Sequence, residues 1–194
     1  MKLYYTPKSH FARKNRILID ALELDVELHD AGNVADNSVD IFASNPLMKV
    51  PTLIDGDHVI FESDLIAQYL VKHSDPSDSF YVLTQDWNTL NARGVMNGVM
   101  AAEVELIMAE RSGIDTAKYS RFDKLRSTVV LGLEWLEQHA DVFDGQPSYC
   151  GFHLVCLWDH LVLYQMFELK HPALEKAVSE LSAIDFVKNS TPLM

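Results

Sequence analysis

The sequence predicts two domains, an α/β domain on a four-stranded mixed sheet followed by an all-helical bundle. Strand signals occur only before residue 62, and helical periodicity covers most of the chain after residue 83. The polar stretch Ser74–Ser79 separates these two regions, as expected of a domain boundary. We therefore expect an N-terminal domain over 1–75, a linker over 76–82 and a helical C-terminal domain over 83–194.

The first domain is predicted to run βαβ and then ββα. Its expected elements are a strand at 2–5, a helix over 9–24, a half-buried strand at 26–30, strands at 52–54 and 58–61, and a helix over 63–73. Asp55-Gly56-Asp57 between the last two strands is a hairpin signature, in which glycine supplies a positive φ. The expected apolar face of the last helix consists of Leu65, Ile66, Tyr69 and Leu70.

The second domain is predicted from four helical patterns. They cover roughly 83–111, 118–139, 149–167 and 172–181. The first carries an apolar stripe whose members are Met96, Val99, Met100, Val104, Ile107 and Met108. Such a stripe is expected to form the core of a helical bundle.

Charge and hydropathy limit the partners. The chain has 16 Lys and Arg against 28 Asp and Glu, a net charge of −12, which argues against nucleic-acid binding. No apolar run reaches the roughly 20 residues that span a bilayer. The start, Met1-Lys2-Leu3-Tyr4-Tyr5, lacks the pattern of a secretory signal. We therefore expect a cytoplasmic protein without a membrane or nucleic-acid partner.

Cys150 and Cys156 are the only cysteines, so a disulfide framework is not expected. Because residues 1–149 have no thiol, a site in the first domain cannot work through its own cysteine. His153, Cys156 and His160 share one helix face at a spacing that could hold a metal. Their neighbours in sequence are mostly apolar, so we expect packing in a core helix and no metal.

Three motifs resemble one family. They are Ser9-His10-Phe11-Ala12-Arg13-Lys14, Asn45-Pro46-Leu47-Met48-Lys49-Val50-Pro51-Thr52-Leu53, and Phe61-Glu62-Ser63-Asp64-Leu65-Ile66-Ala67-Gln68-Tyr69-Leu70. Together they resemble the glutathione-binding signature of cytosolic glutathione transferases, with a start similar to bacterial members. The resemblance implies a thioredoxin-like N-terminal domain, a helical C-terminal domain, a homodimer, and glutathione as co-substrate.

The resemblance also assigns ligand roles. It implies a cis peptide bond at Val50-Pro51, which turns the backbone so that Val50 offers its N–H and C=O to glutathione as an added strand would. Ser63 opens a helix, where free N–H groups favour the γ-glutamyl carboxylate. Glu62 is placed for the neighbouring ammonium group, and Lys49 for the anionic ligand as a whole. An ordinary N-cap at Ser63 is the simpler alternative.

Ser9 is the predicted catalytic residue. In the resembling family a Tyr, Ser or Cys near this position faces the glutathione sulfur, and a hydroxyl donor there lowers the thiol pKa. An ordinary N-cap serine would occupy the same position. Rivals for the sulfur contact are Tyr4, Tyr5, Thr6 and His10, although His10 is expected to face solvent.

The remaining predictions concern charge and substrate. Five cations lie near the predicted site, and most of them are expected on the solvated surface. They are Lys8, Arg13, Lys14, Arg16 and Lys49. Asn33 is a guess for the partner of the glycine carboxylate. A small hydrophobic electrophile is expected in a cleft between the domains, with candidate walls at Tyr5, Phe11, Met100, Val104 and Met108.

The function expected from this resemblance is that of a glutathione transferase, in which the thiol of glutathione attacks a small hydrophobic electrophile. The alternative is a protein with the same fold that serves as a binding or regulatory module without turnover, because a fold does not fix a function. A thiol transferase that depends on its own cysteine is disfavoured, since no cysteine lies near the first helix.

Overall fold

A four-stranded mixed sheet organises the first part of the computed structural model, which describes residues 1–35 and 37–191. The strands are β1 (Lys2–Tyr5), β2 (Glu27–Asp30), β3 (Thr52–Asp55) and β4 (His58–Phe61), in the order β2-β1-β3-β4. Strand β1 pairs parallel with β2 and antiparallel with β3, which pairs antiparallel with β4. The predicted four-stranded mixed sheet is confirmed.

Two helices accompany the sheet, α1 (His10–Ala21) and α2 (Ser63–Ser74), and a short 3-10 helix spans Val39–Phe42. Among the fully buried side chains are Leu3, Ile17, Leu18, Leu53, Ile66 and Leu70. They come from β1, α1, β3 and α2. Gly56 has a φ of 56° in the β3–β4 turn, as the hairpin signature predicts.

The exposure of two apolar residues differs from prediction. All four residues of β2 are exposed, although the strand was predicted to be half-buried, and Leu28 keeps 44% of its surface. Strand β2 lies at the edge of the sheet formed by the described residues, next to β1. In α2, Ile66 and Leu70 are buried but Leu65 is 53% exposed, so the apolar face is narrower than predicted.

The second unit, residues 84–182, contains α3 (Trp87–Arg111), α4 (Ser120–Gln138), α5 (Tyr149–Tyr164) and α6 (Pro172–Ser182). Helices α3 and α4 approach closely at Gly132, where an added Cβ would clash with Cγ2 of Val99. Met96, Val99 and Met100 are buried, which places this part of the predicted stripe in the core. Within the described residues, no helix is both long enough and apolar enough to cross a membrane.

The end of the chain groups with the first unit, which comprises residues 1–83 and the segment from Ala183 onward. A short helix, α7 (Asp185–Lys188), precedes Ser190, whose Oγ accepts a hydrogen bond of 3.0 Å from Nε of Arg13. Phe186 meets Phe80 edge to face, with ring centroids 6.0 Å apart. The units therefore divide the chain after Leu83 and again before Ala183, whereas the sequence predicted a single helical domain over 83–194.

The turn after α2 is organised by one buried carboxylate. Asp75 accepts hydrogen bonds from Oγ of Ser77 at 2.6 Å, from N of Ser79 at 2.6 Å and from Oγ of Ser79 at 3.2 Å. The Ser77 hydroxyl is the main cause of a lowered pKa of Asp75, which the bonds from Ser79 lower further. Ionised Asp75 therefore stabilises this turn.

We expect Asp75→Asn to lower the free energy of unfolding at pH 7 by about 1 kcal/mol, because an amide replaces a charged acceptor. The pKa of Asp75 is lower in the folded protein, so its stabilisation is present above the unfolded pKa of about 3.9 and is lost as the pH falls through the folded value. Urea unfolding of both proteins at several pH values tests this. A difference that is as large in acid as at neutral pH would contradict it.

Candidate functional site

A small cavity of about 70 Å³ lies in the first unit where the loop before β3 meets the start of α2. It is lined by Phe11, Asn45, Lys49, Val50, Pro51, Glu62 and Ser63. Five of these are the residues that the sequence assigned to glutathione. They come from two chain segments on either side of the β3–β4 hairpin, and the fold places them around one concavity.

Asn45 braces the loop that forms one wall. Its Nδ2 donates to the carbonyl of Lys49 at 3.0 Å and to Oγ1 of Thr52 at 3.1 Å, while its Oδ1 accepts from N of Leu47 at 2.9 Å. The side chain is 1% exposed. Asn45 was not among the predicted site residues, although the Asn-Pro pair that starts the loop is a signal for such a turn.

Val50 presents its backbone at the cavity. The Val50–Pro51 peptide bond is cis. Within the described residues, neither the N–H nor the C=O of Val50 has a recorded hydrogen-bond partner. Backbone groups in this arrangement can pair with an extended peptide. Pro51 is buried beneath this position.

The opposite wall is the N-terminus of α2. Ser63 is the first residue of the helix and is 4% exposed. Glu62 precedes it with φ 74° and ψ 121°, and its side chain makes no capping hydrogen bond. Helix N-termini carry unpaired N–H groups and a partial positive charge, so this wall favours an anion. The exposed carboxylate of Glu62 beside it favours a cation.

The backbone of Glu62 lies in a region that residues with a side chain rarely adopt, at a cost of about 1–3 kcal/mol. We expect Glu62→Gly to raise the free energy of unfolding by about 1 kcal/mol, because glycine tolerates this φ. Glu62→Ala keeps the strained φ and is the matched control, expected to leave stability nearly unchanged. Urea unfolding measures the free energy of unfolding of both variants. A Glu62→Gly chain that is less stable than the original chain would show that the backbone of Glu62 is not strained.

Ser9 is the N-cap of α1. Its Oγ accepts a hydrogen bond of 3.2 Å from N of Ala12, and its N–H donates to the carbonyl of Thr6 at 3.1 Å. A hydroxyl that accepts one bond still has its own proton to donate. Ser9 does not line the 70 Å³ cavity, although Phe11 in the first turn of the same helix does. The geometry thus gives Ser9 a capping role and leaves its proton available.

Among the rivals for the sulfur contact, His10 is 3% exposed, so the prediction that it faces solvent is wrong. Its ring packs on Phe11, with centroids 4.5 Å apart. Thr6 is buried, and Tyr4 and Tyr5 are half-buried. The ring of Tyr5 lies under the guanidinium of Arg16 at 4.8 Å from its centroid.

The prediction of solvated cations holds for Lys8 and Lys49 and is wrong for two of the others. Arg13 is 2% exposed and donates to Ser190. Lys14 is fully buried, and its Nζ lies 2.8 Å from Oδ1 of Asp64 in α2. Both are buried because each long side chain reaches a specific polar partner that a helix-surface pattern does not reveal.

The Lys14–Asp64 pair ties α1 to the first turn of α2. Asp64 directly follows Ser63, so the ammonium group of Lys14 holds the helix start that forms one wall of the cavity. The carboxylate also lies where the positive end of the helix dipole favours it.

The predicted substrate-wall residues differ in exposure. Tyr5, Phe11 and Val104 are half-buried, and Met108 is 38% exposed. Met100 is fully buried and its sulfur contacts Nε2 of His153, so packing accounts for its position. Asn33 is exposed and accepts a hydrogen bond from N of Ala35, apart from the residues that line the cavity.

The histidines of α5 have partners within the helical unit. His153 contacts Met100, and Nδ1 of His160 lies 2.7 Å from Oε2 of Glu103. Cys156, which lies between these two histidines in the sequence, is also buried. The two histidines turn to different neighbours, so among the described residues His153, Cys156 and His160 do not form one cluster.

The first unit matches a known family. Residues 3–78 match the model described as glutathione S-transferase, N-terminal domain. A stringent starvation protein A homolog of Coxiella burnetii is 38% identical over 72 residues, which are 36% of this chain and 33% of that protein. The match therefore spans about a third of that relative's length.

Solved structures extend the similarity to nearly the whole chain. A glutathione S-transferase of Methylobacillus flagellatus with glutathione bound has a TM-score of 0.84 at 24% identity, covering 99% of both chains. A glutathione transferase family member of Pseudomonas fluorescens, also with bound glutathione, has a TM-score of 0.87 at 19% identity, covering 100% of this chain and 99% of that one. A maleylacetoacetate isomerase of Methylobacterium extorquens has a TM-score of 0.76 at 22% identity, over 100% and 97%. These likenesses establish the fold.

Proposed function

We propose that this chain, whose residues 3–78 form a glutathione S-transferase N-terminal domain, binds glutathione and activates its thiol for attack on a small hydrophobic electrophile. One observation carries the proposal: two separate motifs meet around one cavity that offers backbone groups, a helix N-terminus and a carboxylate. Two proteins of the same fold hold glutathione in their solved structures.

Each wall has a role in the proposed complex. The free N–H and C=O of Val50 pair with the cysteinyl residue of glutathione. Ser63 and the N-terminus of α2 receive the γ-glutamyl carboxylate, and Glu62 receives the adjacent ammonium group. Lys49, exposed at the cavity, attracts the net-anionic ligand.

The proposed chemistry uses the ligand's own sulfur as the nucleophile. The hydroxyl of Ser9 donates its proton in a hydrogen bond to the thiolate while its oxygen accepts from Ala12. Together with the N-terminus of α1, this bond favours thiolate over thiol and lowers the thiol pKa. The thiol proton leaves to solvent. The thiolate sulfur then bonds to an electrophilic carbon of the substrate, and either displaces a leaving group such as halide or adds to an activated double bond whose other carbon takes a proton from solvent.

A second candidate function is a binding or regulatory module without turnover. It is favoured by one observation: Ser9, the predicted donor to the thiolate, is not among the residues that line the cavity. In this alternative, glutathione binds through the same walls, but its thiol keeps an ordinary pKa.

We also propose a homodimer. Trp87 is 76% exposed at the start of α3, and tryptophan is enriched at protein interfaces, so this side chain is our candidate for the subunit contact. Sedimentation of the 22.0 kDa chain as a particle of twice that mass would support the proposal, and a monomer at high protein concentration would end it.

The decisive experiment is a glutathione titration followed by the thiolate absorbance of the complex as a function of pH. Binding with a thiol pKa well below the ordinary value of about 8.5 supports the enzyme, and binding with an unshifted pKa supports the module. Both functions fail if glutathione does not bind. Glu62→Gly and Glu62→Ala should weaken binding alike, because both remove the carboxylate whatever their effect on stability.

A further inference from the structure

A second cavity, of about 510 Å³, lies within the helical unit. Its volume falls in the range of small-molecule sites, roughly 300–1,000 Å³. The apolar part of its wall comes from Val130 and Leu133 of α4 and from Phe167 in the segment between α5 and α6. Phe167 also packs on the cluster of Leu106, Ala109 and Phe122, which supports this wall from behind.

The polar part of the wall is acidic. Glu134, Glu137 and Glu168 line the cavity, and Lys170 is the one cation among the described lining residues. The ammonium group of Lys170 lies 2.8 Å from Oε1 of Glu168 and offsets one of the three carboxylates, so the lining keeps an excess of two negative charges. An apolar wall beside an excess of carboxylates is complementary to a cation with an apolar body.

An anion is disfavoured, although α6 begins at this cavity. Glu137 occupies the N-terminus of α6, where its Oε1 accepts from N of Ala173 at 2.9 Å and its Oε2 accepts from N of Leu174 at 3.0 Å. These bonds satisfy the N–H groups that would otherwise attract an anion. The helix start therefore presents a carboxylate to the cavity.

We propose that this cavity binds a small organic ammonium compound, with an aromatic or branched apolar body on Val130, Leu133 and Phe167 and its charge facing Glu134 and Glu168. The site lies wholly in the helical unit, and its occupancy does not depend on the glutathione proposal.

The test uses tryptamine, a monocation at pH 7, titrated into the full chain and followed by NMR. We expect a dissociation constant on the order of 1 mM for a ligand of this size, with shifts at the methyl groups of Val130 and Leu133. Indole-3-propionate carries the same ring with the opposite charge and is expected to bind at least tenfold more weakly.

Variants separate this site from general charge attraction. Glu134→Gln/Glu168→Gln should weaken tryptamine binding about fivefold, the size expected for two exposed charges. Glu175→Gln/Glu180→Gln removes two exposed carboxylates of α6 that do not line the cavity, and should leave the affinity unchanged. Equal affinity for the cation and the anion, equal effects of both double variants, or no shifts at Val130 and Leu133 would each overturn the proposal.

Discussion

Replacing Ser9 with alanine is expected to raise the pKa of the bound glutathione thiol towards its ordinary value and to slow conjugation about 100-fold. The reason is the loss of the hydroxyl that donates to the developing thiolate, and removing one such donor typically costs this much in rate. The measurement is the pH dependence of thiolate absorbance in the complex, together with conjugation of an aryl halide.

Two controls separate catalysis from helix capping, since Ser9→Ala also removes the hydrogen bond from Ala12. Ser9→Thr keeps both the cap and the hydroxyl, and should retain the low thiol pKa. Ser148→Ala removes an equivalent cap at α5, where Oγ accepts from N of Gly151 at 3.1 Å, and should leave the thiol pKa unchanged. A thiol pKa that Ser9→Ala does not move would refute the assignment of Ser9.

Lys14→Met is expected to lower the free energy of unfolding by about 3 kcal/mol, because it strips the cation from a buried ion pair. The Asp64 side chain is only 28% exposed, and in the variant its carboxylate would lack the ammonium group that lies 2.8 Å away in the original chain. The first turn of α2 would shift with it, so glutathione affinity should fall as well, since Ser63 is the preceding residue.

Two control variants test whether the loss of stability comes from the burial of the Lys14–Asp64 pair. Lys14→Met/Asp64→Leu replaces both charges by apolar groups and should recover much of the lost stability. Lys2→Met breaks the Lys2–Glu27 pair, which has the same 2.8 Å separation but side chains that are 34% and 63% exposed, and should cause no comparable loss. Urea unfolding and glutathione calorimetry test all three proteins. A Lys14→Met chain as stable as the original would show that the pair contributes nothing.

The secondary structure was predictable because its signals are local. Gly56 marks the hairpin through a conformation that other residues rarely adopt, and Asp86 and Ser148 cap helices α3 and α5 through their own side chains. Predicted and observed helix ends differ by a few residues, since the last turn of a pattern need not form hydrogen bonds. The motif at 45–53 and the Glu62-Ser63 pair likewise identified residues that the fold brings together at one cavity.

The sequence could not reveal contacts between distant residues. Arg13 and Ser190 are 177 positions apart and Lys14 and Asp64 are 50 apart, so their partners emerge only when α1 packs. The cavity at Val130 and Phe167 has the same origin, because its walls come from α4 and from the segment before α6.

By itself, then, the sequence determined the four strands and the main helices, the −12 charge and the loop around Val50 and Pro51, because short-range periodicity, turn chemistry and composition encode these features. The tertiary structure alone decided that Arg13, Lys14 and His10 are buried, that Leu65 and Leu28 are exposed, and that the segment after residue 182 joins the first unit. Burial depends on which residues cover a side chain in the folded protein, and those residues are often too far away in the sequence for a local pattern to identify them.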